Sequence, residues 1–254
     1  MERLLYLLLC LTLSINIFAQ TRTIHVFVAL CDNEHQGIVP VPEKLGNGKD
    51  TKSNLYWGAA YGVKTYLINK TDEWKLISTL DPDNPKILER LLFKHNTEDV
   101  YLLADAWDGE EIKACTEDFL KTSNGQLPLI IEVDSLSLSF GGLSDLIAYS
   151  GHDGLMDFPV DIKYEPVPSQ PKEVIILACF SKRFFSNELK QAGAIPLLWT
   201  THLMAPEAYT LKAAIDGWIE NESGEQIKER AAQAYHKYQK CGIKGARNLF
   251  STGF

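Results

Sequence analysis

Short, nearly unbroken apolar runs recur along this chain, and they constrain its fold more than any other feature. They fall at residues 23–30 (TIHVFVAL), 100–104 (VYLLA), 145–150 (DLIAYS), 174–179 (VIILAC) and 195–200 (IPLLWT). A strand with one wet face alternates apolar and polar residues; a strand buried on both faces does not, and that is the habit of parallel sheets. Helical patterns stand between the runs. Residues 110–121 open on acidic side chains and close on Lys121, and 186–192 form a shorter helix. Two amphipathic helices follow. One starts at Pro206 with the stripe Leu211, Ile215, Trp218 and Ile219; the other carries Ile227, Ala231, Ala234, Tyr235 and Tyr238. Helices at 53–62 and 85–95, a small hairpin from 64–68 and 74–79, and a further strand at 128–133 complete the expected elements. Residues 31–50, rich in Pro and Gly without periodicity, read as a long surface loop. The expectation is an α/β domain: a three-layer α/β/α sandwich around a mostly parallel sheet. Neither repeats nor a composition break divides the chain.

That domain is expected to begin after a leader. Arg3, an apolar stretch over residues 4–13, and the small Ala19 before Gln20 form the layout of a secretory signal peptide covering residues 1–19, cleaved after Ala19. The apolar stretch is too short for a good membrane span, and no later segment reaches spanning length. Residues 20–254 would then be the exported domain, periplasmic or secreted, with no membrane attachment once the leader is removed. Cys10 lies inside the leader's apolar run. Cys31, Cys115, Cys179 and Cys241 remain, too sparse for a disulfide scaffold. A formal net charge of -8 argues against a nucleic-acid binder, which needs a basic face.

Ligands of open α/β sheets bind beyond the carboxyl ends of the strands. Two such ends carry reactive side chains. The run at 145–150 leads into Gly151-His152-Asp153-Gly154, and the run at 174–179 ends on Cys179, followed by Phe180-Ser181. A thiol is mostly protonated at neutral pH and becomes a nucleophile when an imidazole takes its proton; the imidazole then returns a proton to the leaving amine. Backbone N–H groups of Asp153 or Gly154 and of Cys179 are the candidate oxyanion donors. Cys31, Asp32 and His35, after the first strand, and Asp105 and Asp108, after the strand at 100–104, are candidates to line the same cleft. The commoner origin of such residues is an ordinary loop or surface position, and that reading is preferred for each.

YSGHDG (149–154) and ILACFS (176–181), followed by GAIPLLW (193–199), resemble the signature of caspase-like cysteine peptidases of clan CD, most of all bacterial CHAT domains. The resemblance implies a caspase-like fold, a peptide or protein substrate, a Cys179/His152 dyad, and no cofactor or metal. Two departures stand out: Asp153 follows the histidine where the family usually has glycine, and Phe180-Ser181 follows the cysteine. Two further readings stay open, a catalytically inactive peptide- or protein-binding module and another acyl-transfer or hydrolytic reaction of the same thiol. Other chemistries lack their residues. Gly46–Thr51 (GNGKDT) misses the phosphate-loop spacing, and neither GxGxxG after the first strand, nor CxxC, nor HExxH, nor a helical histidine pair for zinc occurs.

Overall fold

The computed structural model describes residues 21–254 apart from Ser169; the expected leader lies outside the described residues. The first apolar run forms β1 (Arg22–Ala29), buried along all but its first residue. It is flanked on both sides by parallel partners, β4 (Val100–Trp107) and β7 (Leu146–Ser150). β8 (Glu173–Leu177) pairs parallel with β7, and β9 (Ile195–Thr200) parallel with β8. All five expected core strands are therefore present and adjacent: burial on both faces leaves their backbone groups to be satisfied by neighbouring strands alone.

The remaining strands cap the two edges. β2 (Trp74–Leu80) and β3 (Ile87–His95) extend the sheet antiparallel beyond β4, and the short β10 (Phe250–Ser251) closes the other side against β9. The result is an eight-stranded mixed, largely parallel sheet, in the order β10-β9-β8-β7-β1-β4-β3-β2. A separate antiparallel ribbon pairs β5 (Pro128–Val133) with β6 (Leu136–Gly141). One face of the large sheet packs on α1 (Val63–Asn69), α4 (Ala208–Ile219), α5 (Gly224–Gln239) and α6 (Ile243–Leu249). The opposite face packs on α2 (Ile112–Ser123) and α3 (Ser181–Ala192), through Phe119, Leu120, Phe185 and Leu189.

Three expectations are corrected. Residues 85–95 form β3 and not a helix: the doublet Leu91-Leu92 fits either period, and β4 supplies a cross-strand partner, Asp105, for Arg90. Residues 53–62 are a chain of turns. Gly58 and Gly62 lie against the backbone of Lys52 and Trp57, approaches that a Cβ would block. Asn54 holds these turns to the loop after β1, giving its side-chain N–H to the carbonyls of Cys31 (2.8 Å) and Asn47 (2.9 Å) and accepting from the Cys31 amide (3.0 Å). The expected hairpin at 64–68 and 74–79 divides, its first half becoming α1 and its second pairing with β3. β6, α6 and β10 were not anticipated.

Candidate active site

β7 ends on Ser150, and the chain turns at once through Gly151. A Cβ there would lie 3.1 Å from the Ala29 carbonyl oxygen, so the close passage beside β1 favours glycine. His152 follows with its ring buried and its Nε2 hydrogen-bonded to Asp157 Oδ2 at 2.7 Å. The intervening residues bring that carboxylate back. Asp153 caps a 3-10 turn over Gly154–Met156, its Oδ1 accepting the Leu155 amide at 3.0 Å, and the turn delivers Asp157 beside the imidazole. Asp157 Oδ2 also accepts the Gly37 amide at 2.8 Å, tying the loop after β1 to the loop after β7. A carboxylate accepts only, so Nε2 carries the proton and Nδ1 is left as the ring's basic nitrogen.

Cys179 is reached by an equally tight turn between β8 and α3. Phe180 adopts the left-handed conformation (φ 50°), a strained choice for a residue with a Cβ, and donates its amide to the His202 carbonyl at 3.0 Å. Ser181 and Thr200, both fully buried, brace the turn from behind: Ser181 Oγ donates to the Ile176 carbonyl (3.0 Å) and accepts the Thr200 amide (2.9 Å), while the Thr200 hydroxyl reaches the Ala178 carbonyl. Cys179 itself is half-buried. Its Sγ accepts the Met204 amide at 3.4 Å and lies 3.6 Å from the Met204 carbonyl. Burial raises the thiol pKa, the Met204 amide opposes that rise, and Asp153 adds to it. The resting thiol is thus protonated and needs a base.

His152 and Cys179 line one cleft of about 280 Å³, together with Gly37 and Tyr56 and with side chains from the loop after β9. Tyr56 forms part of its floor, and burial holds its hydroxyl neutral far above the ordinary phenol pKa. Asp153, next to His152, has no solvent exposure. Burial pushes its carboxyl up to about 7, and Oδ2 has no partner. Its φ of -79° is open to any residue, so the backbone there does not require the glycine usual in the resembled family.

The other sequence candidates are placed elsewhere, and none of the five lines this cleft. Cys31 is fully buried, its thiol pushed up to about 11 by burial. Asp32 and His35 pair with each other at 3.0 Å in a separate polar pocket. Asp105 lies inside β4 with no solvent exposure, gripped by Arg90 and His25, and Asp108 caps the 3-10 turn Gly109–Glu111. Sequence reasoning missed Asp157, Tyr56 and Met204. The only advance signal was weak, an acidic residue shortly after a candidate base. Among the described residues no group of metal-ligating side chains assembles. No protein-family model matches the chain, and no curated protein or solved structure does either.

Proposed function

We propose that the chain is an exported caspase-like cysteine endopeptidase, with a three-layer α/β/α domain over residues 20–254 freed by cleavage after Ala19, and with peptides or proteins as substrate. One observation carries this reading. Adjacent parallel strands, β7 and β8, lead into an imidazole and a thiol that border the same cleft, and a carboxylate holds the Nε2 of that imidazole. The strand order, with β1 between β7 and β4, supports the caspase-like assignment.

In the reaction, His152 Nδ1 takes the Cys179 proton as Sγ attacks the scissile carbonyl carbon. Asp157 stabilises the imidazolium that forms, as a carboxylate does in a catalytic triad. Backbone N–H groups of Cys179 and of Asp153 or Gly154 stabilise the oxyanion. Collapse breaks the C–N bond, and the amine leaves with the proton from His152. Water, deprotonated by the same ring, then hydrolyses the thioester and regenerates the thiol. No cofactor enters this scheme.

The rival reading is a non-catalytic peptide-binding module, favoured by the burial that keeps the resting thiol protonated. The deciding experiment is labelling by a peptidyl electrophile, followed by intact mass. Peptidase action predicts rapid modification at Cys179 that is lost in both Cys179→Ala and His152→Ala. Labelling that ignores His152→Ala, or falls on Cys31, would refute the dyad.

A further inference from the structure

We infer that the residue whose carbonyl Cys179 attacks carries an uncharged apolar side chain of leucine, methionine or phenylalanine size. The inference rests on the peptidase reading and names its substrate class. Apolar side chains from three loops converge on the cleft: Ile38 and Val39 after β1, Met156 after β7, and Leu203 and Met204 after β9. Val39 is 87% exposed, Leu203 66% and Met156 40%, and all three are large hydrophobes. Exposed apolar groups gathered around a concavity mark a surface that is covered in use. The two methionines suit side chains of differing shape, because an unbranched thioether repacks readily.

Charge points the same way. The titratable groups lining the cleft are Cys179, His152 and Tyr56, and Tyr56 is neutral. Among the described residues, no carboxylate lines the cleft to receive an arginine or lysine, and no lysine or arginine lines it to receive an aspartate. Asp157, beside the imidazole, is already committed to His152 and to the Gly37 amide. A charged substrate side chain would lose its hydration here without gaining a counter-charge, whereas an apolar one would gain from burial. The volume, about 280 Å³, falls just below the roughly 300–1,000 Å³ of small-molecule sites and suits one side chain rather than a cofactor.

The test uses three peptidyl acyloxymethyl ketones that differ only in the residue beside the ketone: leucine, arginine or aspartate. Sγ displaces the carboxylate leaving group and forms a thioether, so intact mass follows the reaction on the whole protein. The leucine reagent should modify Cys179 at least about tenfold faster than either charged one. Leu203→Asp, at an exposed position where folding is not at stake, should narrow the leucine-to-arginine ratio by roughly tenfold. Fastest labelling by the arginine or aspartate reagent overturns the inference and leaves the peptidase reading standing; an unchanged ratio in Leu203→Asp also overturns it. Absence of Cys179 labelling by all three reagents refutes the peptidase reading, and the inference with it.

Discussion

Asp153 is a carboxylic acid enclosed by protein one residue after a candidate general base, and two consequences follow for single residues. Its carboxyl pKa is raised by burial to about 7, well above its value in an unfolded chain. An acid with a raised folded pKa contributes stability while protonated in both states, and that contribution is lost as pH rises through the folded pKa. Folding should therefore weaken between about pH 4 and pH 7 by up to a few kcal/mol through this residue. Asp153→Asn keeps the capping oxygen for the Leu155 amide and removes the charge. Its melting temperature should approach that of the parent at pH 4 and exceed it progressively up to pH 8; parallel curves would show that Asp153 does not titrate in this window. On the proposed peptidase reading Asp157 is a positioning residue, since its carboxylate meets His152. Asp157→Asn leaves an acceptor for Gly37 but allows the amide to present its N–H to the imidazole and select the wrong tautomer. Peptide turnover should then fall on the order of 10²–10⁴-fold in kcat with KM little changed. A loss of thermal stability that accounts for the lost activity would reduce Asp157 to a loop tie.

Among elements, the join between β3 and β4 is held by an interior ion pair. Arg90 grips Asp105 with Nε (2.7 Å) and Nη2 (2.6 Å), and His25 Nε2 meets the same carboxylate at 3.0 Å. Burial alone would raise the Asp105 pKa; Arg90 and His25 outweigh it and hold the carboxyl below its usual value. Removing one partner strands the other charge in the interior, so Arg90→Ala should destabilise the fold by about 3–5 kcal/mol, whereas Arg90→Met with Asp105→Leu should recover most of that loss in chemical denaturation. A double variant as unstable as the single one would show that the pair contributes more than its desolvation costs. The same strands show where sequence reasoning reached its limit. β1, β4, β7, β8 and β9 were legible because burial on two faces leaves an unbroken apolar run. β3 was not, because Arg90 and Glu89 interrupt the run and its Leu91-Leu92 doublet suits a helix equally well; only contact with β4 decides between them. That Cys179 and His152 border one cleft was legible because strand ends in parallel sheets face open crevices. Asp157 reaches the imidazole through a 3-10 turn with no periodic signature, and Met204 meets the thiol across 25 residues of chain.

For the whole molecule, the expected export raises the question of what stabilises the fold in an oxidising compartment. Cys31, Cys115, Cys179 and Cys241 are all free. Cys115 is buried in α2, its thiol pKa driven far up by burial, whereas Cys241 is exposed beyond α5, so the two cannot meet without unfolding. The chain is large enough to do without such staples: the two faces of the sheet each carry an extensive core, and domains above about 150 residues bury most of their surface. Among the described residues no helix is long and apolar enough to cross a membrane, so the core is not supplemented by a helical membrane span there. Reductant should therefore leave the melting temperature unchanged within about 1 °C, whereas breaking a disulfide worth about 2–4 kcal/mol would lower it by roughly 5–15 °C. Thiol titration of the native protein gives an independent reading of the same arrangement. Cys241 should react first and Cys179 second, because only these two have solvent access, while Cys31 and Cys115 should react only after denaturation. If any of Cys31, Cys115, Cys179 and Cys241 failed to react in denaturant without reductant, a pairing would be present that this fold does not contain, and the core alone would no longer account for its stability.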